Sequence, residues 1–155
     1  MYEPYAFTSR LNSKKYQYPG KIPIGEEQAE VTPTTLHWDK MQLESFLAPV
    51  VAWQTRHSIA SNRILVGEFG VYRFNTGAQN YLSDLIQIFN HHHWHWAFYS
   101  FREDTWDGMD YELGSKKAPA KYWQSIEQNK IPGNDVYKPN PLSTLLRSAL
   151  HENAK

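Results

Sequence analysis

Cysteine is absent from this chain, which excludes disulfides and thiolate metal sites and leaves the compartment open. Net charge is absent too. Sixteen basic residues balance sixteen acidic ones, so no global field favours nucleic acid or an anionic membrane, and partners are expected to be neutral or met by local chemistry. No apolar run approaches the ~20 residues that a membrane helix needs. The opening residues, MYEPYAFTSR, lack the basic-then-apolar pattern of an export signal. Gly-rich phosphate loops, Ser-His-Asp spacing and zinc motifs are missing as well, so neither a cofactor nor a metal is expected.

Aromatic residues, by contrast, reach 15% of the chain, with six Trp and ten Tyr. Such an excess suits a carbohydrate site, because sugar rings present C–H faces that lie on aromatic planes, although core and rim packing accounts for most of it. At 41% hydrophobic over 155 residues, the chain has the apolar mass for one globular domain.

Apolar periodicity divides the chain. Residues 2–7 are short, aromatic and interrupted by Pro4, which fits a strand end running into a loop. Residues 9–35 carry Pro19, Gly20, Pro23, Gly25 and Pro33 with few periodic apolar positions, and read as an irregular surface excursion. From Asp39, a plausible N-cap with Gln42 three residues on, the spacing of Leu43, Phe46, Leu47, Val50 and Val51 predicts an amphipathic helix that ends near His57, with one backbone hydrogen bond lost and a kink expected at Pro49. Tyr81, Leu82, Leu85, Ile86 and Phe89 predict a second helix. Pro119 as first helical residue, with Tyr122, Trp123 and Ile126, predicts a third. Leu142, Leu145, Leu146, Ala149 and Leu150 give a last helix one apolar stripe that must lie on something. Trp38, Trp53 and Trp123 are expected to pack on these helices.

Residues 63–70, RILVGEFG, are the most informative stretch. They read as a buried parallel strand whose inward face carries Ile64, Val66 and Glu68. A carboxylate in such a place is costly without a partner or a task. The bland alternative is a structural carboxylate paired to Arg73 or Arg102. Residues 94–101, WHWAFYSF, read as the next strand, and strand, helix, strand over this length is the βαβ pattern with parallel pairing. His91, His92, His93 and His95 invite a metal reading, but adjacent histidines at a helix end point apart, and the helix dipole accounts for them. The acidic run Glu103, Asp104, Asp107, Asp110 and Glu112 lacks the calcium-loop pattern and reads as a polar loop.

Taken in order, MYEPYAFTSR, VGEFGVYR and HWAFYSFREDTWDGMDYELG resemble the last third of a family 5 glycoside hydrolase, the cellulase-like (β/α)8 barrels. The resemblance implies an α/β fold comprising the last three strands of a TIM-type barrel and their helices in residues 1–128. Residues 129–155 would form an extension with an amphipathic helix. It further implies a retaining O-glycoside hydrolase acting on a β-linked polysaccharide or oligosaccharide. Glu68 stands at the nucleophile's position and Tyr2 is similar in position to the Tyr that supports it. Tyr99 stands where an aromatic platform is expected, with Trp96 three residues earlier, and substrate would reach Trp106 or Glu103 on the following loop. Retaining hydrolysis needs a second carboxylate about 5 Å away, which the family carries in an Asn-Glu-Pro motif, and no Asn-Glu-Pro occurs here. The expectation is therefore the C-terminal part of a barrel, without unaided turnover, completed by self-association or by a partner chain. The competing reading is a non-catalytic remnant that binds saccharide or a partner.

Overall fold

The computed structural model describes residues 1–9, 14–24, 34–101, 107–113, 117–130 and 140–152. Within them lie five α-helices and four short strands in two two-stranded sheets. No closed barrel is present among the described residues.

The chain opens with a single helical turn, α1 (Tyr5–Thr8), where a strand end was expected. Proline explains the difference. Pro4 has an extended ψ of 119° and starts the turn, its carbonyl accepting the N–H groups of Phe7 at 2.9 Å and Thr8 at 3.1 Å. The stretch read as an irregular excursion contains β1 (Gly20–Pro23), which pairs antiparallel with β2 (Thr35–Trp38) and buries Ile22 and Trp38. Trp38 thus packs on the helices from a strand end, its ring 5.9 Å from that of Phe46 in the helix that follows, residues 40–56.

α2 (Lys40–Arg56) begins where the cap predicts, the Asp39 carboxylate accepting the Gln42 N–H at 2.9 Å. Its buried face is narrower than expected. Leu43 and Leu47 are buried, but Phe46 and Val50 are exposed, and Trp53 is 48% exposed with its ring against His57. Apolar residues at 46, 50 and 53 form a second stripe on a helix that has one packed flank, so patterning alone does not identify the buried one. Pro49 lies on the exposed side and the helix runs through it.

β3 (Leu65–Phe69) and β4 (His95–Phe98) are parallel, as the βαβ pattern requires, and α3 (Ala78–His91) connects them. Tyr81, Leu82, Leu85, Ile86, Ile88 and Phe89 on α3 are all buried, each full burial worth about 1.5–3 kcal/mol for an aliphatic or Phe side chain. One face of the two-stranded sheet packs on this helix layer through Ile64, Val66, Phe69, Trp96 and Phe98. The other face is open: Leu65 is 64% exposed, and Gly67, His95 and Ala97 are exposed beside it. The strand read as buried is thus covered on one side alone, and the three-strand wall expected from residues 1–128 is here a two-strand one. A Cβ built on Gly67 meets nothing within 4 Å. Gly67→Ala is accordingly expected to change stability by no more than about 0.5 kcal/mol, checked by thermal unfolding; a fall in Tm beyond about 4 °C would mean that this face is covered in solution.

α4 (Ala120–Glu127) starts one residue later than expected, with Pro119 as its N-cap, because Pro119 keeps an extended ψ of 151°. α5 (Pro141–Glu152) lays Leu142, Leu146 and Ala149 into the core against α3. Asn140 fixes its start: Oδ1 accepts the N–H groups of Leu142 and Ser143 at 3.0 and 3.1 Å. Its Nδ2 donates to the carbonyls of Tyr111 and Leu113 at 2.8 and 2.9 Å. The stripe that needed a partner is therefore seated on α3 through Leu142, Leu146 and Ala149 and tied to the loop after β4, while Leu145 is partly buried and Leu150 is exposed. No described helix is long and apolar enough to cross a membrane.

Candidate active site

Between Val66 and Phe69 the β3–β4 register slips. Val66 opposes Trp96 and Phe69 opposes Phe98, three steps on β3 against two on β4. One residue is extra, which is a β-bulge, and bulges re-aim the side chains that follow. Strict alternation would put Glu68 on the same face as Ile64 and Val66. Instead those two face the helices, Phe69 joins them, and Gly67 and Glu68 are both exposed. The expected inward face of Ile64, Val66 and Glu68 is thus split, and the bulge is the cause.

Glu68 opens onto a cavity of about 250 Å³ at the C-terminal ends of the two strands. The Tyr2 hydroxyl donates to Glu68 Oε1. Burial, and then the hydrogen bond and charge of Glu68, push the Tyr2 phenol above its ordinary range, so it stays a neutral donor at physiological pH. The Met1 amine donates to the Glu68 carbonyl oxygen, and burial pulls its pKa down against the opposing pull of Glu68 and Glu3. The Glu68 carboxylate therefore takes its hydrogen bond from a phenol and not from Arg73, whose guanidinium lies 4.3 Å over the Phe74 ring; Arg102 lies outside the described residues.

The wall facing Glu68 is the α1 segment. Thr8 Oγ1 donates to the Tyr2 carbonyl at 2.5 Å, Tyr81 OH to the Glu3 carbonyl at 2.7 Å, and the Tyr72 N–H to the Thr8 carbonyl at 2.9 Å. Asn75 Nδ2 donates to the carbonyls of Phe7 and Ser9. These bonds hold Tyr5, Thr8 and Ser9 against the cavity. Tyr99, just past β4, and Met109 complete the lining. The Tyr99 N–H donates to the Phe69 carbonyl at 2.8 Å, and a Cβ on Gly70 would fall 2.4 Å from the Tyr99 carbonyl oxygen, so the strand exits approach as closely as glycine permits.

Tyr111 supports this corner from beneath. It is buried and stacked on Phe98, and its hydroxyl accepts the Val71 N–H at 2.7 Å and donates to the Val71 carbonyl at 2.8 Å. Burial pushes its phenol up, partly offset by the Val71 N–H and by Arg73. Tyr111→Phe leaves two buried backbone groups unmet, at a cost of about 3 kcal/mol, and should lower Tm by roughly 10 °C. An unchanged Tm would show that water replaces the hydroxyl.

Of the residues named from sequence, Glu68, Tyr2 and Tyr99 converge on one cavity. Trp96 does not. Its ring packs edge-on against Phe69 at 5.7 Å and its Nε1 donates to Asn90 Oδ1 at 3.0 Å, on the helix side of the sheet. Trp106 and Glu103 lie outside the described residues. Tyr5, Thr8, Ser9 and Met109 were missed, although 5, 8 and 9 share one face at helical spacing, a signal hidden by reading residues 2–7 as extended. Among the described residues no group of three His, Cys, Asp or Glu could hold a metal. His92 instead stacks on Trp94 at 4.8 Å with His91 edge-on to it; burial first, then His91, lowers its pKa against the pull of Glu44. Neither a family model nor a curated protein matches the chain.

Proposed function

We propose that this cavity is the nucleophile half of a retaining O-glycoside hydrolase site on a partial (β/α)8 barrel, with Glu68 as the attacking carboxylate. The supporting observation is the Tyr2–Glu68 hydrogen bond at the C-terminal end of a parallel strand, the end at which barrel enzymes place their chemistry. A neutral phenol donating to Oε1 orients the carboxylate while leaving Oε2 for attack on an anomeric carbon. Tyr99, on the neighbouring strand exit, supplies an aromatic surface beside it.

Glu68 is the only carboxylate among the described lining residues, so general-acid help for an ordinary leaving group is missing. Turnover of natural glycosides by the described residues alone is not expected, and a second carboxylate would have to come from outside the described lining, for instance from a self-associated copy or a partner chain. The same shortfall favours the second reading, a saccharide-binding remnant without catalysis. An activated 2-deoxy-2-fluoro glycoside with a dinitrophenolate leaving group separates them. Glu68 would attack C1, the bond to the aryl oxygen would break with its electron pair leaving as the phenolate, and an ester would remain. Intact mass and peptide mapping should locate one sugar residue on Glu68. A chain that stays unlabelled at saturating reagent sinks the hydrolase reading.

A further inference from the structure

Ser9 ends the α1 turn with its backbone fixed on both sides. Its N–H donates to the Tyr5 carbonyl at 3.1 Å and its carbonyl accepts from Asn75. Ser9 is among the residues that line the Glu68 cavity and is 9% exposed, while its hydroxyl is itself buried and has no hydrogen-bond partner among the described residues. Two other hydroxyls there are committed: Tyr2 OH donates to Glu68 and Thr8 Oγ1 to the Tyr2 carbonyl. Native structures leave few buried hydroxyls unmet, because each costs free energy that a partner would recover.

We propose that Ser9 is a ligand-binding residue, its hydroxyl turning about χ1 to hydrogen-bond a ring hydroxyl of a neutral monosaccharide unit whose C1 faces Glu68. The inference rests on reading this cavity as a saccharide site. Neutrality follows from the lining. It presents hydroxyls, the rings of Tyr5 and Tyr99, and one carboxylate, with no basic side chain among the described lining residues to meet an acidic or phosphorylated sugar. A serine hydroxyl both donates and accepts, which matches a sugar hydroxyl.

The test compares wild type, Ser9→Ala and Ser9→Thr by ligand-observed NMR with methyl β-glucoside, methyl β-mannoside and their monodeoxy analogues. Ser9→Ala should weaken binding about tenfold, Ser9→Thr should restore it, and the alanine effect should vanish for the one deoxy ligand that lacks the partner hydroxyl. Tm provides the control, since deleting a hydroxyl with no protein partner should leave it unchanged or raised. Equal binding by wild type and Ser9→Ala, no binding of any glycoside by wild type, or a Ser9→Ala protein that loses several degrees of Tm each overturns the proposal. Labelling of Glu68 at the same rate in Ser9→Ala would remove this inference while sparing the nucleophile. Ser9-dependent binding without any label would do the reverse.

Discussion

Glu68→Gln should slow covalent labelling by the activated fluoroglycoside at least about a thousandfold, because a neutral amide oxygen is a poor nucleophile at an anomeric carbon. The substitution is close to isosteric and retains an oxygen at Oε1 to accept from the Tyr2 hydroxyl, so the cavity wall keeps its principal tie. Tm should therefore move by only a few degrees. That pairing of outcomes identifies a reacting group and not a structural one. A Gln variant labelled at the wild-type rate would mean that another side chain reacts, and a variant that fails to fold would mean that the carboxylate's charge is needed for packing.

The largest effect on stability is expected at Gly77. It caps α3 with a φ of +89°, a region that costs an L residue about 1–2 kcal/mol, and a Cβ there would lie 1.8 Å from the Tyr18 carbonyl oxygen. Tyr18 cannot yield without wider loss. Its N–H donates to the Thr76 carbonyl at 3.0 Å, its hydroxyl donates to Asp84 Oδ2 at 2.7 Å, and its ring packs edge-on to Tyr81 at 5.4 Å. Gly77→Ala should then cost about 4 kcal/mol or more, a large part of what a domain of this size has. With an m-value near 2 kcal/mol/M, the urea midpoint should fall by roughly 2 M. A shift under about 0.5 M would show that the α3 entry relaxes around the methyl group.

The helices were legible in sequence where local chemistry and packing agree. Asp39 with Gln42 located the start of α2, and the spacing of Tyr81, Leu82, Leu85, Ile86 and Phe89 identified the buried face of α3. The parallel pairing of β3 and β4 was legible too, because a helix between two short apolar runs leaves little other topology. What failed were features set by counting or by partners far along the chain. An extra residue at Gly67–Glu68 reverses an alternation that no periodicity argument detects. Trp96 was assigned to the cavity by its proximity to Tyr99, whereas Phe69 and Asn90, reached only through the fold, hold it on the helix side. The second apolar stripe of α2 could not be told from the first without knowing where α3 lies. Of the cavity lining, Glu68, Tyr2 and Tyr99 were named from sequence, and Ser9 was not, because its interest lies in a bond it does not make.

The bulge in β3 also separates two kinds of constraint. Ile64, Val66 and Phe69 answer to the helices behind the sheet, while Gly67 and Glu68 are set out of phase with them and face the other way. Mutations that repack the hydrophobic side can therefore accumulate over generations without turning Glu68 from the cavity, and the cavity lining can drift without loosening the scaffold.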